Sequence, residues 1–354
     1  MQQTQDIIVR EIKKSRINEV DFSKLEFGKY VSDHMLICDY YDGEWQSPQV
    51  VPFANLSLSP TTLALHYGQS VFEGMKAFRM KDGSINIFRI DKHYDRLVKS
   101  LERMCMQVPL KEIFMKGMME LVATDNAWVP NENGSSLYIR PFVFASEAKF
   151  GVKVSDEYRF IIFTGPVGPY YAKPLRVKVE REYIRAAKGG TGFAKCAGNY
   201  GGAFYPTQLA RESGFDQVLW TNAIENKYIE ESGTMNVMFV IDGKLVTPSL
   251  SDSILDGVTR DSLIQLAKDK GVVTEERRIS TDELVTAFRN NMITEAFGAG
   301  TAAVVAPINL IHIDGVDYKL PFYNINSLMN QLKQQLEDIR TGRAEDVYGW
   351  NYKI

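Results

Sequence analysis

The stretch Gly189-Gly190-Thr191-Gly192-Phe193-Ala194-Lys195-Cys196-Ala197-Gly198-Asn199-Tyr200 decides how this chain is read, because it sets one lysine among small residues with a tyrosine soon after. A lysine amine attacks a carbonyl only when desolvation or a neighbouring cation favours its unprotonated form. Small neighbours let another molecule come close to it. Gly-rich stretches are ordinarily turns and most lysines are solvated, so the segment marks a candidate Schiff-base site without establishing one.

A second stretch narrows the chemistry. Tyr228-Ile229-Glu230-Glu231-Ser232-Gly233-Thr234-Met235-Asn236-Val237-Met238-Phe239 sets two carboxylates and a small-residue turn just before an apolar run. A buried carboxylate against a pyridinium nitrogen is how proteins make pyridoxal phosphate (PLP) an electron sink. In this order and spacing the two stretches resemble the branched-chain aminotransferases of fold type IV. Further matching stretches run from Ala64-Leu65-His66-Tyr67-Gly68 through Gly298-Ala299-Gly300-Thr301-Ala302 to Tyr348-Gly349-Trp350, so the resemblance covers nearly the whole chain. It implies a two-domain α/β fold, with a smaller amino-terminal α/β domain and a larger carboxy-terminal α/β domain that binds PLP, assembled as a homodimer.

Composition agrees with an enzyme of this kind without identifying it. A chain of 354 residues can bury a large core and is expected to split into two domains. Hydrophobic residues at 45% and charged residues at 24% are ordinary for a soluble globular protein. A net charge of -3 supplies no basic surface for nucleic acid, and no apolar run is long enough to span a bilayer, so neither is an expected partner. The amino-terminal stretch lacks a signal-peptide core, and Asp6, Glu11 and Glu19 interrupt what a transit peptide keeps free of acid. A cytoplasmic location is the expectation. Cys38, Cys105 and Cys196 form an odd, sparse set with no CxxC, as free thiols in a reduced compartment would, and no metal site is expected.

Local patterns supply the elements. Met80-Lys81-Asp82-Gly83-Ser84 and Val240-Ile241-Asp242-Gly243-Lys244 predict two hairpins. Asp91 can cap a helix with Tyr94, Leu97, Leu101 and Met104 on one face; Ser280 and Glu283 form a capping box; Leu328, Leu332, Leu336 and Ile339 stripe a late helix that ends near Gly342. After the apolar strand Phe160-Ile161-Ile162-Phe163, the run Thr164-Gly165-Pro166-Val167-Gly168-Pro169-Tyr170-Tyr171-Ala172-Lys173-Pro174 breaks periodicity. It predicts a first domain over 1–164, an interdomain loop over 165–174 and a cofactor-binding domain over 175–354. Two tyrosines favour a cleft-lining linker over a plain surface loop.

The resemblance assigns roles residue by residue. Lys195 matches the lysine that bonds PLP and moves the proton of the amino acid's α-carbon. Tyr200 matches the partner of the cofactor's phenolic oxygen. Glu231 matches the carboxylate facing the pyridine nitrogen; Glu230 competes, and alignment on the Ser-Gly-Thr turn selects Glu231. Arg96 matches the phosphate arginine, although by itself it reads as a surface charge on a helix. Leu255-Asp256-Gly257-Val258-Thr259-Arg260-Asp261 reads as a turn into a helix whose N–H groups suit an anion, and Gly298 to Ala303 as a second small-residue turn. By resemblance Val258, Thr259 and Thr301 bind the phosphate, and Ala302 offers its N–H to the substrate carboxylate. In Ser135-Ser136-Leu137-Tyr138-Ile139-Arg140-Pro141, strand alternation puts Tyr138 and Arg140 on one face, which could equally be a solvated one. The family's matching pair lines the substrate pocket, its arginine meeting the distal carboxylate of glutamate or 2-oxoglutarate. Phe72, Tyr67, Tyr170 and Thr234 match pocket residues. An apolar floor with one arginine at its rim takes leucine, isoleucine or valine and then glutamate in the same place.

Two departures stand out. Some family members carry a CxxC after the Gly-Thr-Ala turn, where this chain has Ala302-Ala303-Val304-Val305-Ala306-Pro307, and Val167 stands where some bacterial members have tryptophan. The resemblance implies reversible amino transfer between branched-chain amino acids and 2-oxoglutarate in two ping-pong half-reactions. The nearest alternative is another type IV PLP enzyme, a D-amino-acid aminotransferase or aminodeoxychorismate lyase, against which the Tyr-Ile-Arg-Pro segment argues. A nucleotide-binding oxidoreductase would need a G-x-G-x-x-G between strand and helix, which is missing. A non-catalytic PLP carrier stays open.

Overall fold

A computed structural model describes residues 7–170 and 173–354; Asp6 of the amino-terminal reading and Tyr171 and Ala172 of the expected linker lie outside the described residues. The chain divides into two compact units. One runs to Tyr170 and takes in Ala194–Gly198 and Ile339–Ile354; the other comprises the chain between Tyr170 and Ala194 and Asn199–Asp338. The break thus falls inside the 165–174 segment. The two inserted segments differ from the expected division, which placed everything from 175 onward, Lys195 included, in the second domain. Main-chain pairing draws them in: Asn351–Lys353 pairs with Ile85–Phe88, and Cys196 forms a bridge with Val71.

The first unit is built on a mostly antiparallel sheet, ten-stranded among the described residues. Its spine is the pairing of Ser136–Ala145 with Tyr158–Val167, unbroken from Ser136↔Val167 to Ala145↔Tyr158. That ladder carries Gly165, Pro166 and Val167 into the strand, where the Gly-Pro signal predicted the start of a loop. Strand His34–Tyr41 pairs along the other side only as far as Phe163, so Pro166 lies where the ladder has a neighbour on one side, the setting in which a strand tolerates proline. Met75–Arg79 and Ile85–Phe88 pair around the expected Asp82-Gly83 turn. Helix Ile90–Arg103 sets Leu97 and Leu101, both 0% exposed, into a core with Phe114, Met118, Leu137 and Ile139. Its start differs from the expected one. Asp91 lies inside the first turn, and the helix is preceded by Arg89 at φ 53° with no side-chain cap. Arg89 donates its N–H to the Trp350 carbonyl at 2.7 Å and lays its guanidinium 4.9 Å from the Trp350 ring centre, so a tertiary contact sets the start.

In the second unit the strands close on themselves. From Ile229–Ser232 the pairing passes to Gln217–Thr221, Leu175–Glu180, Val304–Ile313, Ile293–Gly300 and Met235–Ile241, and returns through Glu231↔Asn236 and Ser232↔Met235. Closure removes sheet edges, and the seam that achieves it is the short hairpin carrying Glu231. Val177, Leu219, Val237, Phe239, Ala296 and Ile308 share the core. Lys244–Thr247 extends the sheet from Met235–Ile241 beyond the Asp242-Gly243 turn, as expected. Ser280 accepts from the Glu283 N–H at 3.0 Å, but the box stays half-made because Glu283 pairs its carboxylate with Arg277 at 2.6 Å. Gly298, Ala299 and Gly300 also differ from expectation: they end strand Ile293–Gly300, and only Thr301 to Ala303 turn. Helix Leu328–Arg340 buries Met329, Leu332, Leu336 and Ile339. Among the described residues no helix is long and apolar enough to cross a membrane.

Candidate active site

Lys195 sits on an extended peptide that borrows its hydrogen bonds from neighbours. Ala197 donates to the Ser70 carbonyl at 2.9 Å, Phe72 donates to the Lys195 carbonyl at 3.0 Å, and the Lys195 N–H donates to Ser100 Oγ at 2.9 Å. Strand Ser70–Phe72 thereby aims Phe72 beneath the lysine, whose Nζ lies 4.9 Å from the ring centre. Arg140 addresses the same ring, with Cζ 4.7 Å from its centre, and its Nη2 donates to the Tyr138 hydroxyl at 2.9 Å. Alternation along Ser136–Ala145 makes this possible: Leu137 and Ile139 are fully buried, while Tyr138 and Arg140 share the half-buried face. A Cβ at Gly74 would come within 2.1 Å of the Tyr138 oxygen, so that hydroxyl occupies space which only a glycine leaves. Phe27 joins Tyr138 to Tyr170 with centroid distances of 4.9 Å on both sides. Five expected site residues, Lys195, Phe72, Tyr138, Arg140 and Tyr170, therefore share one neighbourhood in the first unit. Tyr67 is not drawn into it by any contact described; it is 41% exposed on helix Leu63–Tyr67, beside His66.

Arg96 is no surface charge. It is buried and makes a two-pronged bond to Glu73, Nε to Oε1 at 2.7 Å and Nη2 to Oε2 at 2.8 Å, while His93 Nδ1 meets Oε2 at 2.8 Å. Burial alone would raise the Glu73 pKa, but the Arg96 charge and the bonds from Arg96 and His93 outweigh it and hold the carboxyl far below its usual range. Burial lowers the His93 pKa against the pull of Glu73, so a neutral ring donates Nδ1–H to an ionised carboxylate that can only accept.

In the second unit Glu231 lies at the closing seam, 3% exposed. Its Oε1 accepts from the Leu255 N–H at 3.0 Å and from Asn236 Nδ2 at 3.2 Å, and its Oε2 lies 2.7 Å from Arg185 Nε. Glu230 takes the opposite face, as alternation requires; it is bonded to Ser253, and burial raises its pKa. Asn236 pairs with Ala299 on its other side, which brings the strand end before Thr301 and Ala302 to the same end of the sheet as Glu231. A Cβ at Gly257 would lie 1.9 Å from Asn236 Oδ1, so the start of helix Val258–Asp269 packs directly on that asparagine. No side chain caps this helix, and Val258 and Thr259 in its first turn are 2% and 3% exposed. An uncapped, buried helix start with a small-residue turn beside it is a ready anion site. Tyr200 lies half-buried in the short helix Gly198–Gly201, and Thr234 is exposed at the tip of the seam hairpin.

A lysine above an aromatic ring with a half-buried arginine and tyrosine beside it in one unit, and in the other a buried carboxylate near a helix start that no side chain caps, are the parts that amino transfer needs. A family model described as Amino-transferase class IV matches residues 70–311, more than half of the chain. The chain belongs to that family. It is 46% identical over 339 residues to branched-chain-amino-acid transaminase 1 of Bacillus subtilis (strain 168), covering 94% of this chain and 95% of that one. Among solved structures it superposes on a branched-chain aminotransferase from the archaeon Thermoproteus uzoniensis with norvaline, with a TM-score of 0.75 at 27% identity over 90% of this chain and 99% of that one. The branched-chain amino acid aminotransferase from Escherichia coli gives a TM-score of 0.72 at 26% identity over 90% and 98% of the two chains. Sequence reasoning did not single out Glu73, Ser100 and Phe27, beside the expected residues of the first unit, or Arg185, beside Glu231 in the second. Glu73 adjoins Phe72 and Ser100 follows Arg96 by one helical turn, which are local signals for those two.

Proposed function

We propose that this chain is a branched-chain-amino-acid aminotransferase, which reversibly moves an amino group between leucine, isoleucine or valine and 2-oxoglutarate by a PLP-dependent ping-pong reaction. The observation that carries this reading is the near-full-length identity to a branched-chain-amino-acid transaminase, joined to the placement of Lys195 and Arg140 on one aromatic ring.

The donor set fits the cofactor. An uncapped helix start at Val258 and Thr259 suits a phosphate, and a buried carboxylate at Glu231 suits a cationic ring nitrogen. Arg140 Nε is buried without a hydrogen-bond partner, as a guanidinium awaiting a carboxylate would be. When bound, PLP supplies an electron sink for the charge left by the departing α-proton. Lys195 would hold the cofactor and move that proton at its Nζ. Glu231 would face the pyridine nitrogen, and Arg185 and the Leu255 N–H fix the direction of its carboxylate. Tyr200 donates to the phenolic oxygen. Arg96, Val258, Thr259 and Thr301 hold the phosphate. Ala302 gives its N–H to the substrate α-carboxylate, and Phe72, Tyr67, Tyr138, Tyr170 and Thr234 shape the pocket around the side chain. Arg140 binds the distal carboxylate of glutamate, 2-oxoglutarate's amino-acid counterpart, where leucine presents only methyl groups. The protein works as a cytoplasmic homodimer on small molecules, with no nucleic acid, membrane or metal involved.

The test is one absorbance experiment on the PLP-loaded protein. Leucine should abolish the visible cofactor band and 2-oxoglutarate should restore it. A band that ignores leucine, or that never returns, overturns the assignment.

A further inference from the structure

The hydrogen bonds around Lys195 form a closed circuit, and one buried hydroxyl completes it. Ser100 is fully buried on the helix that carries Arg96. Its Oγ donates to the Arg96 carbonyl at 2.9 Å, an ordinary bond for a helical serine one turn on. That leaves the oxygen's acceptor side to face outward from the helix, and it accepts the Lys195 N–H at 2.9 Å. The next peptide group, at the Lys195 carbonyl, accepts from Phe72 at 3.0 Å. Phe72 is followed by Glu73, whose carboxylate takes both prongs of Arg96 at 2.7 and 2.8 Å. Lysine, strand, carboxylate, arginine and serine are thus joined in a ring, its one link between two side-chain ends being the buried Glu73–Arg96 pair.

We infer that Ser100 is a positioning residue for Lys195: its hydroxyl fixes the main chain of the lysine to the helix of the buried Arg96–Glu73 pair. The inference rests on the proposed role of Lys195. Both peptide groups flanking the lysine's Cα are pinned, from a helix on one side and a strand on the other, so the base of the side chain has a single position from which Nζ reaches the substrate. Proton transfer is steep in distance, and an ångström of play costs rate without loosening the grip on the cofactor, which other residues supply. Loss of the hydroxyl removes the bond that ties the Lys195 N–H to the helix, so the lysine peptide is no longer fixed from that side.

Ser100→Ala is a test that keeps the fold, since alanine is smaller and favours a helix. Two readouts are needed. In the protein without cofactor, hydrogen exchange at the Lys195 amide should accelerate by about tenfold or more while amides elsewhere in the helix Ile90–Arg103 keep their protection. In the PLP-loaded enzyme, the single-turnover rate with leucine should fall about five- to fiftyfold, with leucine KM and the PLP dissociation constant each within about threefold of wild type. Faster exchange with an unchanged single-turnover rate reduces the serine to a structural bond and overturns the inference. Unchanged exchange overturns it too. A wild-type protein that fails to react with leucine at all would sink the functional reading instead, and the exchange measurement would still report whether Ser100 holds the lysine peptide.

Discussion

Arg140→Met separates the two halves of the reaction. In the structure the guanidinium rests on Phe72, is held by the Tyr138 hydroxyl at 2.9 Å, and keeps a buried Nε without a partner. A charge-assisted bond to a distal carboxylate contributes roughly 1.5–3 kcal/mol, which is about one to two orders of magnitude in rate or affinity. That loss falls on 2-oxoglutarate and glutamate alone. The stacking on Phe72 is shared by both substrates, and losing it is worth about 0.5–1 kcal/mol, a few-fold effect on each. Methionine preserves most of the stem's apolar contact with the ring. The expected result is therefore a leucine half-reaction within a few-fold of wild type and a 2-oxoglutarate half-reaction slower by about ten- to a hundredfold. Single-turnover absorbance measurements of each half-reaction decide it. Equal losses in both would refute the reasoning, because they would mean that Arg140 holds the fold or the α-carboxylate common to all substrates.

Lys195→Ala should abolish turnover and prevent borohydride from fixing the cofactor to the chain, and mass-spectrometric detection of label on another lysine would reassign the nucleophile. Glu231→Gln should slow α-proton abstraction by an order of magnitude or more with PLP still bound, whereas Glu230→Gln, on the opposite strand face, should be nearly neutral; stopped-flow rates in the reverse order would exchange the two roles. Glu73→Gln removes the carboxylate that takes both prongs of the buried Arg96 and should cost about 3–5 kcal/mol in denaturant midpoint measurements, much of it recovered in Glu73→Gln/Arg96→Met. Because the folded-state pKa of Glu73 is depressed, its stabilisation is present above the ordinary carboxylate value of 4.5 and is lost as pH falls below it, so the acid limb of the wild-type stability curve below 4.5 should flatten in Glu73→Gln.

What the sequence reveals follows the range of the forces involved. The Asp-Gly hairpins are legible because a turn and its flanking alternation are local, and both strand pairs form. The helix stripes of Leu97 with Leu101 and of Leu332 with Leu336 are legible for the same reason. Arg96 by itself reads as a surface charge because its counter-charge sits on another element: Glu73 is 23 residues earlier, and no periodicity connects a strand-end carboxylate to a helix arginine. Arg89 shows the same limit at a helix boundary. A capping rule weighs Asp91, but the contact that sets the start comes from Trp350 at the far end of the chain. Pro166 shows it for strands, since a proline signals a break only until the ladder around it is known.

The lysine peptide explains why a Gly- and Ala-rich stretch can be decisive for chemistry while saying little about its own conformation. Ala194 and Cys196 are 1% and 2% exposed, Lys195 between them is half-buried, and Lys195 and Ala197 donate their N–H groups to different partners, one a serine side chain and one a strand carbonyl. That is an extended peptide with alternating sides. Its small residues turn inward, Cys196 packing into the apolar core of the first unit, and the lysine turns the other way over Phe72. Small inward side chains are required because the peptide must lie close enough to the strand Ser70–Phe72 for main-chain hydrogen bonds. The same residues have low strand propensity, so their own preferences could not hold this shape. Conformation here is imposed by the partners, while the lysine's chemistry is carried in the residue itself. Its identity can therefore be read from one segment, but its placement only from Ser70, Phe72 and Ser100 together.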